Sequence, residues 1–160
     1  MWGMPVPEFI RDLRAHIGHR PLWLSGVSGV VRDDDGRILL TRRADTGDWA
    51  VVSGVLEPGE EPARALRREI AEETGVDAEI VRLTSVDVTP PITYPNGDQT
   101  QYLDVCFLAR AVGGTARVAD DENTAVAWFS PDELPTPLAA SSVLRIAKAL
   151  DDRPEAWFAR

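Results

Sequence analysis

Residues 54–76 read GVLEPGEEPARALRREIAEETGV, and this stretch organises the rest of the chain. Leu66 and Ile70 stand four apart, and nothing between Pro62 and Thr74 interrupts a helix. Pro62 suits the first helical turn, where its missing N–H costs nothing, and Gly75 suits the left-handed residue that closes the last. Glu69, Glu72 and Glu73 occupy i, i+3 and i+4, so their carboxylates leave one side of the helix while Leu66 and Ile70 leave another. Like charges so spaced repel by about 0.2–0.5 kcal/mol per pair when solvated. The three glutamates alone allow two readings. One is a solvated acidic face, partly relieved by Arg68 paired to Glu72. The other is a set of anionic oxygens of the kind hard divalent cations such as Mg²⁺ take.

Outward from the helix, apolar and β-branched runs mark strands. LWLSGVSGVV (22–31) and RILLT (37–41) flank Asp33-Asp34-Asp35-Gly36, which reads as a hairpin turn. A calcium loop would need a distal Glu and flanking helices, and neither is present. AVVS (50–53) predicts a brief strand that leads into a loop over 54–60. Further strands are expected at 78–89, 101–112 and 124–129, with a turn-rich loop at 90–98 and an acidic loop at Asp120-Asp121-Glu122. EFIRDLRAHI (8–17) has the spacing of a short amphipathic helix, and a terminal helix is expected from Leu138 to Leu150. Strands and helices without βαβ alternation indicate an α+β fold, a mixed sheet sandwiched between helices.

The 160 residues fit one domain, residues 1–160. Seventeen cations against 26 anions leave a net charge of −9, which argues against a general nucleic-acid binder. No apolar run approaches a membrane span, no signal segment is evident, and Cys106 is alone, so a cytoplasmic protein is expected. Sixteen of the cations are arginine and one is Lys148, a bias typical of GC-rich bacterial genes.

Taken whole, residues 54–76 resemble the Nudix box: Gly, five residues, Glu, seven residues, then Arg-Glu-apolar-any-Glu-Glu-any-Gly-apolar. Gly54, Glu60, Arg68, Glu69, Ile70, Glu72, Glu73, Gly75 and Val76 fill every fixed position. The resemblance implies a Mg²⁺-dependent hydrolase, with Mn²⁺ as a substitute, that cleaves the diphosphate linkage of a nucleoside diphosphate joined to another moiety. A nucleoside triphosphate or a sugar nucleotide such as ADP-ribose would qualify. It implies metal ligation by Glu69, Glu72, Glu73 and the Gly54 carbonyl, with Arg68 and Glu60 as an orienting ion pair. Catalytic roles fall to Glu69, Glu73 and Arg68, and the base is either Glu69 or a residue on a loop outside the box. Ser53 departs from the glycine many members carry there.

A distal carboxylate completes the expected metal set, with Glu122 the candidate and Asp120 and Asp121 its rivals. Arg42, Arg43 and Tyr94 are candidate substrate-binding residues, the arginines for phosphate and the tyrosine for base stacking. Trp23, Trp49 and Tyr102 are weaker stacking candidates, better read as core or rim. The competing reading is a catalytically silent nucleotide-binding module, which tends to lack box glutamates. RNA end trimming would want a basic groove. A homodimer is expected from apolar surface at the first helix and at Trp2, Trp157 and Phe158.

Overall fold

The computed structural model describes residues 6–160, so Trp2 lies outside the described residues. Helix α1 spans Glu8–Ile17, followed by strands β1 (Leu22–Arg32), β2 (Ile38–Arg43), β3 (Trp49–Ala50) and β4 (Val52–Val55). Helix α2 covers Pro62–Thr74, the bounds its Pro and Gly punctuation predicts, and Gly75 caps it at φ 70°. Strands β5 (Val76–Val88), β6 (Ile92–Thr93), β7 (Gln99–Gly114) and β8 (Asn123–Phe129) come next. Helix α3 (Ala140–Leu150) and a short β9 (Trp157–Phe158) end the chain.

Among the described residues, all nine strands join one mixed sheet. Its spine is β1 parallel to β7, from Leu22 opposite Thr100 to Arg32 opposite Arg110, and β5 lies antiparallel on the other side of β7. β4 runs antiparallel to β1, with Gly54 opposite Val27, and β8 runs antiparallel to β2. Side chains alternate across β1, which divides the core in two. Val27 and Val31 meet Leu66 and Ile70 of α2, whereas Val30 meets Ile146 and Ala149 of α3. The expected α+β sandwich is therefore the one observed. α1 covers one end of the sheet by burying Ile10 against Leu24, Val55 and Tyr102.

The turn at 33–36 is as expected: Asp33 Oδ1 accepts from the amides of Asp35 and Arg37, and Gly36 sits at φ 79°. Several details differ from the sequence reading, among them a short β6 within the expected loop at 90–98 and a break at Val51 that divides the strand expected at 50–53. Gly54 and Val55 belong to a strand rather than a loop, because their backbone completes the ladder to β1. α3 starts at Ala140, since Leu138 is bridged to Trp49. Trp157 and Phe158 form a strand on β5, and the Trp157 ring lies 3.5 Å beneath the Lys148 ammonium. Among the described residues no helix is long and apolar enough to cross a membrane.

Candidate active site

The site forms where the C-terminal end of α2 meets the acidic loop before β8. The last carbonyls of a helix lack partners within it. Here the Arg117 amide donates to Thr74 at 2.9 Å, and the Ala119 amide to Glu73 at 3.3 Å. This pairing carries the following carboxylates onto the helix. Oxygens of Glu73, Asp120 and Glu122 come within 4.8 Å of one another. The Asp120 carboxylate is held by the Glu122 amide at 3.1 Å, and Asn123 Nδ2 bridges Asp120 and Glu73 at 3.3 Å to each.

Glu69, one turn back on α2, is 3% exposed. Arg68 Nη1 donates to its Oε1 at 2.8 Å, and its Oε2 is buried with no partner. Gly54 makes room for it: an added Cβ would lie 2.6 Å from Glu69 Cγ and closer still to the carboxyl carbon. Only a residue without a side chain fits there. Arg68 also grips Glu60 through Nε and Nη2 at 2.8 and 2.9 Å, and Glu60 accepts the Glu57 amide at 3.2 Å. The expected orienting pair is thus a fork that ties loop to helix. It pulls the Glu60 carboxyl below its usual range and raises the Arg68 guanidinium.

The cluster is only partly relieved by its neighbours. Burial raises Glu69 to about 7, against the opposing pull of Arg68. Burial also raises Glu122 to about 7, aided by Asp120 and Glu69. Glu73 is pushed well above the usual range, first by burial and then by Glu122, Glu69 and Asp120. Crowded carboxylates with an orphaned buried oxygen are what a hard divalent cation would complete.

The remaining candidates divide. Glu72 turns outward and accepts from Arg68 Nη1 at 3.2 Å, with its side chain 57% exposed, so the structure does not bring it to the Glu73 group. Helical phase explains this, since Glu69 and Glu73 differ by about 40° while Glu72 sits about 100° from Glu73. Of the two rivals to Glu122, Asp120 joins the group and Asp121 is exposed. A cavity of about 660 Å³ opens from these carboxylates, and Arg43 and Tyr94 line it. Arg43 pairs with Asp45 at 2.7 Å, while Arg42 is exposed and donates to the Gly47 carbonyl at 3.1 Å. Strand alternation separates them: Thr41 and Arg43 share the cavity face, and Arg42 has the other. Trp49 packs edge-on against Phe129 in the core, and Trp23 is 58% exposed. Tyr102 is buried in the cavity wall, its hydroxyl 2.9 Å from that of Tyr94. Sequence reasoning missed Asn123 and the pairing of Arg145 with Asp104 at 3.1 Å on the same wall. Neither residue type carries a local signal, and only the fold brings them in.

A family model described as the NUDIX domain matches residues 23–150. The chain is 39% identical over 131 residues to a MutT-like protein of Streptomyces ambofaciens, covering 82% of this chain and 79% of that one. It is 34% identical over 128 residues to the 8-oxo-dGDP phosphatase of Homo sapiens, 76% of this chain but only 37% of that protein. Among solved structures, the MutT NUDIX hydrolase of Burkholderia pseudomallei superposes with a TM-score of 0.67 at 31% identity, over 79% of this chain and 98% of that one. With the complete box folded against a partly buried carboxylate cluster, the chain belongs to the Nudix family, whose members are pyrophosphohydrolases of phosphoanhydride bonds.

Proposed function

We propose that this protein is a single-domain, cytoplasmic bacterial enzyme. It hydrolyses, with Mg²⁺ or Mn²⁺, the diphosphate linkage of a nucleoside diphosphate joined to another moiety. The observation that carries this reading is the convergence of Glu73, Asp120 and Glu122 within 4.8 Å, beside a Glu69 oxygen that is buried and unpartnered. Glu69, Glu73, Glu122, Asp120 and the Gly54 carbonyl are the groups we assign to the metal. When bound, the cation would polarise phosphate oxygens and acidify a coordinated water. Glu69 is the carboxylate we assign as base, and Arg68, donating to its Oε1 at 2.8 Å, holds it in one orientation. Glu72 acts through Arg68. Arg43, its charge partly spent on Asp45, faces the cavity where phosphates would lie. The relatives named 8-oxo-dGDP phosphatase and nucleoside triphosphatase support a nucleotide substrate. The silent-module reading expects missing box glutamates, and none is missing.

The test is a panel of nucleoside triphosphates, sugar nucleotides and dinucleotides with Mg²⁺, assayed for released phosphate or nucleoside monophosphate. Turnover of at least one class, abolished by EDTA, is expected. Uniform silence across the panel would sink the proposal.

A further inference from the structure

On its α3 side the cavity ends at a pair that hydrolysis leaves idle. Arg145 Nε donates to Asp104 Oδ2 at 3.1 Å, and Ser28 Oγ donates to the same oxygen at 2.7 Å. Asp104 is 4% exposed, and both Arg145 and Asp104 line the cavity. Among the described residues, no acceptor meets either terminal nitrogen of Arg145, and no donor meets Asp104 Oδ1. The pair therefore presents two free N–H donor groups beside one free anionic acceptor. Gly26 keeps the approach open, since a Cβ there would stand 3.5 Å from Asp104 Oδ1 and 3.4 Å from the Tyr102 ring.

We propose that Arg145, positioned by Asp104, determines base specificity and selects a 6-oxopurine whose N7 carries no proton. This rests on reading the cavity as the nucleotide site. Around its O6 a 6-oxopurine offers N7 and O6 as acceptors on one edge and N1–H as donor on the next, the complement of two donors and one acceptor. Arginine bidentate to N7 and O6 is the commonest specific contact to guanine, and the carboxylate would take N1–H. Adenine sets an amino donor against the second guanidinium nitrogen. Uracil has no N7. The 8-oxo form of guanine protonates N7 and turns an attraction into a clash of donors, so this chain is expected to favour the unoxidised base. A mismatched base leaves buried polar atoms unpaired, which is where strong discrimination arises.

Calorimetric titration of the full chain with Mg²⁺ and GMP, IMP, AMP, UMP or 8-oxo-GMP tests the idea. GMP and IMP should bind about tenfold tighter, or more, than the other three. Arg145→Lys keeps a cation beside Asp104 but removes the fork. GMP should then fall to the level of AMP, while AMP changes by less than about twofold. Equal affinities in the wild type, or a GMP preference that survives Arg145→Lys, would overturn the assignment. If that variant fails to fold, N7-methylated GMP on the unmodified protein serves instead: it should bind about tenfold more weakly than GMP, and equal binding refutes the proposal. Failure of the hydrolase reading would show separately, as absent turnover with base-selective binding intact.

Discussion

Replacing Glu69 with Gln should stabilise the metal-free protein at alkaline pH and leave it unchanged at acidic pH. In the fold Glu69 holds its proton up to about pH 7, whereas an unfolded glutamate releases it near 4.5. Between those values the native state binds more protons than the unfolded state, so stability falls as pH rises. At about 1.4 kcal/mol per pH unit, the interval corresponds to at most ~3 kcal/mol lost by pH 8. Gln is nearly isosteric and removes that loss. It also weakens the Arg68 contact at 2.8 Å, though Arg68 keeps Glu60 at 2.8 and 2.9 Å. The value of about 7 already includes the Arg68 contact, so the expected gain at pH 8 is about 2–3 kcal/mol. For a domain this size that is a rise in Tm of roughly 4–12 °C. Scanning calorimetry in EDTA at pH 5 and pH 8 measures both. Saturating Mg²⁺ should reverse the order at pH 8, because only the intact cluster gains the full free energy of ligand binding. An increment equal at the two pH values, or a lower Tm at pH 8, would refute the claim that Glu69 is ionised at a cost.

Glu73→Gln should cut turnover on the order of a hundredfold with the fold intact by circular dichroism, since it removes a charged oxygen from the proposed metal site. Glu122→Gln and Asp120→Asn should each weaken the Mg²⁺ dependence of the rate, while Asp121→Asn stays within about threefold of wild type; equal effects at all three positions would mean an acidic turn that is merely solvated. Gly54→Ala should cost about 1–3 kcal/mol in chemical denaturation and most of the activity, because its Cβ lands on the Glu69 side chain. Light scattering at micromolar concentration should return a homodimer, supported by exposed Leu13 and Phe158, and a mass near 17.5 kDa would exclude it.

The parts of the molecule governed by local chemistry were legible in the sequence. α2 matches its Pro62 and Gly75 punctuation, and the alternating core of β1 follows from its apolar run. The box residues were recognisable as a pattern of nine fixed positions within a single segment. What escaped were features that depend on long-range pairing. The last strand at Trp157–Phe158 exists because β5 offers it an edge. Glu72 was grouped with its neighbours by spacing, yet a rotation of about 100° from Glu73 is enough to face solvent. Asp120 could not be ranked against Asp121, because only the packed loop decides which carboxylate turns inward.

The placement of that loop also explains why so unfavourable a cluster persists. A helix C-terminus carries partial negative charge and favours cations, yet the last turn of α2 has no basic residue, carries Glu73 itself and meets the carboxylates of Asp120 and Glu122. Most contacts that hold the loop there are main-chain bonds, indifferent to side-chain charge. Main-chain amides of Arg117 and Ala119 satisfy the carbonyls of Thr74 and Glu73, and the Ala44 amide binds the Glu122 carbonyl at 2.8 Å. A register shift between Arg42 and Arg43 lets β8 reach this position while its ladder with β2 continues. Backbone bonding and the two-sided core fix the positions first, and the side chains must then repel one another where they stand. Arg68 and Asn123 relieve part of this repulsion, and the rest is met by holding protons or by binding a cation. The proposed metal site is therefore held in place by bonds that a metal would not make, and removing one carboxylate should leave the backbone around it in place.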